Sequence, residues 1–190
     1  MKPHFVLLAA LGAASLLAFA QPTAKLGEPW IVSGPAPDHY EIGVDSEGYT
    51  RGSNAKYLRA KSESEEGWAS LMQQFSANDY RGKRVRFHAM VRTRDIGKWA
   101  GLWMRVDRPG PEVSAFYNSQ DKPIKGTTGW QERSVVLDVA PDASIISFGV
   151  IGAGKGTVLI DDLKIEVVGK DVPTSSMPSG QHALASKPNL

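Results

Sequence analysis

The chain has 190 residues, 42% of them apolar, a formal net charge of +2 and no cysteine. That length suits one domain with a sizeable core, and the composition excludes disulfides and thiolate chemistry. A near-neutral balance with no block of Lys or Arg argues against nucleic acid as a partner.

The first 20 residues read as a secretory signal peptide. Lys2 and His4 precede an apolar run from Phe5 to Phe19, and Ala18-Phe19-Ala20 has the small-x-small form of a cleavage site. The run is about 15 residues, short of the ~20 that a membrane-spanning helix needs. Cleavage after Ala20 leaves no membrane span, so the mature protein is expected to be exported, to the periplasm or the extracellular space. Residues 21–29 form a short polar lead-in. Residues 30–168 carry the regular pattern of a folded domain. Residues 169–190 hold Pro173, Pro178 and Pro188 among Ser, Gly and Ala, with no apolar period, and are expected to be a disordered tail.

Within the domain the dominant period is two. Val85, Phe87, Ala89 and Val91 alternate with polar neighbours, as do Leu102, Met104 and Val106, and Val135, Leu137 and Val139. Such alternation marks half-buried antiparallel strands. Further strands are expected at residues 40–44, 55–60, 69–75, 113–119, 145–151 and 157–167. Turn signals separate them at 81–83, 108–111, 125–129 and 140–142. Only residues 63–70 could form a helical turn. About ten short strands with regular turns give an all-β sandwich or barrel.

The stretch Phe148 to Asp162, "FGVIGAGKGTVLIDD", resembles both a phosphate-binding loop and a dinucleotide fingerprint. Both motifs need a helix after the glycines, with its N-terminus on the phosphates. Here a β-rich run follows, and Gly156 stands where a P-loop has Ser or Thr. The glycines therefore read as a hairpin turn between the last two strands, and no nucleotide is expected.

The final segment "GKGTVLIDDLKIEVV" resembles the closing strands of jelly-roll carbohydrate-binding modules and their galactose-binding-like relatives. The pieces "AKYLRAK", "LMQQF", "YRGKRVRFHAMVRT" and "GTTGWQERSVVLDVAPDASIISFGV" fall in the order of that family's strands. The resemblance covers residues 30–168. It implies an antiparallel jelly-roll β-sandwich and a non-catalytic, secreted, glycan-binding role. It also implies a structural Ca2+ in many members, though no cofactor is required. In similar modules an acid at the position of Asp161 helps to hold calcium with the opening strands, where Glu41 and Asp45 are available. The alternatives for Asp161 are an Arg partner or backbone N–H groups. Asp162 reads as a surface charge.

In "WAGLWMRVD", alternation puts Leu102, Met104 and Val106 inward, hence Trp99, Trp103, Arg105 and Asp107 on the other face. An indole stacks on the apolar face of a pyranose while charged groups bind its hydroxyls. The next strand adds Phe116, Asn118 and Gln120, and His88, with Arg86, could join from the strand before. The competing reading makes Trp103 a structural residue, covered by a loop or part of a second core. The acidic stretch before Trp68 is expected to be a solvated loop with that Trp tucked beneath it. Two other functions stay open: an extracellular protein docked on the same Trp face, or a glycoside hydrolase using acids such as Glu112 and Glu132. The sequence contains no recognisable catalytic motif, so the expected protein is not an enzyme.

Overall fold

The computed structural model describes residues 26, 27, 29–63 and 66–177. The expected signal peptide, most of the lead-in, two residues of the acidic loop and residues 178–190 lie outside this range.

Among the described residues nine strands follow one another: β1 (Ile31–Ser33), β2 (Tyr40–Asp45), β3 (Ala55–Ala60), β4 (Trp68–Ser76), β5 (Arg84–Asp107), β6 (Val113–Tyr117), β7 (Ile124–Asp138), β8 (Ile145–Ala153) and β9 (Thr157–Val168). The helices among the described residues are two 3-10 turns, Pro37–His39 and Asn78–Tyr80. No helix there is long and apolar enough to cross a membrane. All strand pairs are antiparallel.

β5 organises the molecule. It is one strand of 24 residues, where alternation suggested two separate strands. Its first half, from Arg84 to Arg94, lies between β7 and β9, and its second half, from Trp99 to Asp107, lies beside β8 and β6. The hydrogen-bonded network is therefore continuous, yet it makes two layers. One layer is β6–β5–β8–β4–β1 and the other β7–β5–β9–β3–β2. β5 passes between them through register shifts from Val91 to Ala100, with Asp95 at φ 53°. The Asp95 carboxylate accepts a hydrogen bond from the Thr127 hydroxyl at 2.9 Å, which pins the bend. β7 follows the same bend, so residues 125–129 belong to a strand with Gly126 at φ 63°. They do not form the expected turn, because glycine here serves a bulge.

The inward faces are the alternating residues read from the sequence. Val85, Phe87, Ala89 and Val91 are fully buried, as are Leu102, Met104 and Val106. Phe148 from β8 meets Phe87 across the sandwich, ring centroids 4.9 Å apart at 66°, and also packs edge-on to Phe75. Each fully buried Val, Leu, Met or Phe among them contributes ~1.5–3 kcal/mol of transfer free energy.

The glycines after β8 do not make a hairpin. β8 pairs with β4 and β5, and β9 pairs with β5 and β3, so Gly154-Lys155-Gly156 arches from one layer to the other. Gly154 and Gly156 have φ of 74° and 96°, and a Cβ on Gly156 would stand 2.4 Å from the Asp95 carbonyl oxygen. Only glycine meets both demands. The Tyr40 hydroxyl ties the arch down through the Gly154 carbonyl at 2.8 Å.

Residues 169–177, expected within the tail, lie along the free edge of β7. Ser175 N–H donates to the Val136 carbonyl at 2.8 Å, and Arg84 donates to the carbonyls of Lys170 and Val172. Backbone and guanidinium bonds hold this strap, so it needs no apolar period.

Candidate functional site

The outer face of the first layer is best described in rows, because register fixes which side chains stand together. Trp68 of β4, Ala153 of β8 and Trp99 of β5 share one row. Met72, Gly149 and Trp103 share another, and Gln74, Ser147 and Arg105 a third, with Phe116 of β6 opposite Arg105. The β4, β5 and β6 members of these rows, with Ser33, Ser70, Ile151, Asn118 and Gln120, line a groove of about 480 Å³.

Trp103 is the floor and not a wall. It is only 8% exposed and packs with Met72, Ile151 and Trp99. Its indole N–H donates to the Ser70 Oγ at 2.6 Å, and the Ser70 hydroxyl donates to the Val150 carbonyl at 3.1 Å. Ser70 lies on β4, so the indole spans β8 to reach it. Gly149, between Trp103 and Met72, has no room for a side chain: a Cβ there would sit 2.1 Å from the Leu71 carbonyl oxygen. Close approach of β8 to β4 and a flat indole thus depend on the same small residue.

The walls are aromatic and accessible. Trp68 is 40% exposed and Phe116 45%, and Trp99 is half-buried. Trp68 and Trp99 are two strands apart in one row, ~10 Å at the usual strand spacing. Among the described residues, Arg105 is the one charged group in the lining. Its Nε is held by the Asp107 carboxylate at 3.0 Å, and Asp107 sits one row beyond the groove's end. Asn118 and Gln120 supply amide groups from the segment after β6, where the Asn118 side chain also caps the Gln120 N–H at 3.2 Å.

The structure therefore gathers Trp99, Trp103, Arg105, Asn118 and Gln120 in one groove, with Asp107 at its margin. His88 is not among them. It lies on the outer face of the other layer, 3.4 Å from Glu166 and 3.7 Å from Glu132, because β5 has changed layers between His88 and Trp99. Arg86 is on that same far face, bound to Glu166. Trp68 corrects the sequence reading in the other direction: it opens β4 and lines the groove, instead of lying under a loop. Ser70, Met72 and Gln74 follow it at alternate positions. Their period of two is visible in the sequence, but the placement of β4 beside β8 is not.

Asp161 and Glu41 stand apart. Glu41 faces Arg59 across the β2–β3 pair, with the Arg59 Nε at 2.6 Å. Asp161 is on β9, near the Asp45 end of β2, so Glu41 is about four residues, or ~13 Å, further along. Asp161 accepts from Ser53 Oγ at 2.6 Å, Tyr49 N–H at 2.7 Å and Asp162 N–H at 2.8 Å. Burial alone would raise its carboxyl, but those three donors, with Lys56 nearby, outweigh it and hold the group below the ordinary range. A bulge at Asp162, φ 46°, shifts the phase of β9. Val158 and Ile160 face the main core, as Leu163 and Ile165 do beyond the bulge. Asp161 instead shares the outer face with Leu159, which packs with Tyr57, Ala55 and Trp130. The loop from Ser46 to Asn54 covers this cluster, and Tyr49 meets Trp130 edge-on at 6.1 Å. Among the described residues, no group of three or more His, Asp or Glu side chains is placed to hold a metal ion. Asp162 itself is exposed.

No protein-family model matches the chain. An uncharacterized HTH-type transcriptional regulator of Bacillus subtilis (strain 168), YbfP, is 37% identical over 162 residues, covering 85% of this chain and 55% of that protein. The chain thus spans about half the length of this curated relative. Among solved structures, the enzymatically active domain of bacteriophage CBA120 tailspike protein 4 aligns with TM-score 0.57 and 12% identity, over 74% of this chain and 20% of that one. The N-terminal endo-1,4-beta-D-xylanase 10B of Clostridium thermocellum, as CBM22-1 and GH10 modules with xylohexaose, aligns with TM-score 0.54 and 16% identity, over 77% and 27%. The C-terminal family 22 carbohydrate-binding module from the same organism gives 0.51 and 14%, over 76% of this chain and 88% of that module. Identities this low speak to fold alone. The chain is an antiparallel jelly-roll β-sandwich with the fold of carbohydrate-binding modules.

Proposed function

We propose that this chain is an exported, non-catalytic domain that binds a carbohydrate in the groove of the first layer. The observation that carries the reading is the row of Trp68 and Trp99 flanking a floor of Trp103, with Arg105, Gln74, Asn118 and Gln120 beside them. Apolar sugar faces stack on indoles, and hydroxyls need convergent amides and a guanidinium. A docking surface for a protein would be flatter and more continuously apolar. The acids weighed for hydrolysis lie elsewhere: Glu112 pairs with Arg108 in the turn after β5, and Glu132 sits near His88. The similarity to an HTH-type regulator favours a second setting for the same groove, in which ligand binding by a module like this informs an attached regulator.

The test is Trp fluorescence of residues 21–190 titrated with soluble glycans, for the wild type, Trp99→Ala and Trp68→Ala. Trp103→Ala is a poor probe because that side chain is structural. A saturable change weakened at least tenfold in either variant, each still folded by circular dichroism, supports the reading. No response to any glycan overturns it.

A further inference from the structure

β6 and β7 are the edge strands of their layers on the same side of β5, so the sandwich has an open mouth between them. A cleft of about 510 Å³ occupies that mouth, walled by Tyr117, Ser119 and Lys122 on one side, Arg133 and Ser134 on the other, and the strap at Val172–Ser176. Asn118 and Gln120 face the groove described above, whereas Tyr117 and Ser119, alternate in sequence, face this cleft.

Arg133 is the unusual residue. It has the inward phase of Val135 and Leu137 on β7, yet it is a cation. Its Nε is buried and meets no acceptor in the protein. Among the described residues it forms no ion pair, and it lines the cleft together with Tyr117. Tyr117 already donates to Asp121 at 2.7 Å. A buried Nε without an acceptor is costly, and a carboxylate or other oxyanion is the natural partner of a guanidinium. Lys122 adds a second exposed cation at the rim, while Arg86 is taken by Glu166, and Glu132 turns toward His88. An inward charge on an edge strand also discourages edge-to-edge pairing. The strap already covers the β7 edge at Val136, so that service does not require Arg133.

We infer that the cleft between β6 and β7 is a second binding site, for an oxyanion carried as a carboxylate or sulfate group, with Arg133 as its main ligand and Lys122 at the rim. The site is independent of the groove reading. Thermal unfolding is followed at fixed ionic strength while sodium sulfate or sodium glucuronate replaces sodium chloride, or neutral glucose is added to the chloride buffer, for the wild type, Arg133→Gln, Lys122→Gln and Trp99→Ala. A saturable rise in Tm is expected with sulfate or glucuronate and not with glucose, kept in Trp99→Ala, weakened severalfold in Lys122→Gln and lost in Arg133→Gln. The general stabilising effect of sulfate survives in Arg133→Gln and is subtracted by it. A rise with sulfate alone or glucuronate alone assigns the group. An equal rise in wild type and Arg133→Gln, or none beyond chloride, overturns the site. Were Arg133→Gln unfolded, an unchanged response in Lys122→Gln would overturn it equally.

Discussion

Replacing Asp161 with alanine should loosen the loop from Ser46 to Asn54 while leaving the sandwich folded. Three donors converge on the carboxylate, and bonds to a charged acceptor contribute ~1.5–3 kcal/mol each. They do not all count in full. The Ser53 hydroxyl has an alternative acceptor in the Thr50 carbonyl at 2.9 Å, and Asp162 N–H lies at an exposed bulge where water can replace the lost oxygen. What remains is the Tyr49 N–H and the weakened cover over Leu159 and Tyr57. The expected cost is ~2–4 kcal/mol. For a domain of this size that lowers Tm by ~4–16 °C, at ~2–4 °C per kcal/mol. Circular dichroism melts of wild type and Asp161→Ala measure it directly. The folded-state pKa of Asp161 is depressed, so this stabilisation is present above the ordinary carboxylate pKa of ~3.9 and is lost as pH falls through the lower folded value. The difference between wild type and variant should therefore be full at pH 7 and shrink in strong acid. A Tm fall below about 2 °C would refute the anchoring role. A calcium-dependent rise in wild-type Tm that Asp161→Ala abolishes would show that a cation, and not the three donors, is the partner.

Three more outcomes follow from contacts already described. Ser70→Ala leaves the buried Trp103 N–H without its acceptor and should cost ~1–3 kcal/mol in urea unfolding, with a change in Trp emission before unfolding begins. Gly149→Ala drives a Cβ against the backbone of β4 and should cost at least the ~1–3 kcal/mol usual for overpacking, visible as a lowered Tm. Arg84→Met removes the donor to the Lys170 and Val172 carbonyls and should speed hydrogen exchange at Ser175 N–H without a matching change in the core of β5. The same substitution releases the Asp138 carboxyl, which Arg84 and then Lys170 hold well below the usual range.

Much of the fold could be read from alternation alone, because side chains on a strand repeat every two residues and the core strands are strongly apolar. Trp99, Trp103 and Arg105 could be put on one face for the same reason. What alternation could not show is pairing. Trp68 and Trp99 are neighbours only because β4, β8 and β5 lie side by side, and nothing local in the sequence encodes that order. His88 was misplaced because alternation cannot follow a strand that changes layer, and the bulge near Asp95 breaks the count. Around Asp161 the same limit applies, one bulge in β9 being enough to reverse the face of every side chain beyond it. The strap at 169–177 carries no apolar signal, since its anchors are carbonyls and an Arg far away in sequence.

The shared strand β5 also sets how this chain must be made. Its hydrogen-bonding partners are β6, β7, β8 and β9, all of which lie after it in the sequence. A chain truncated before Ile145 would leave the β8 and β9 edge of β5 open along its whole length, and with it the inward apolar row from Val85 to Val106. Such an intermediate is a template for misassociation.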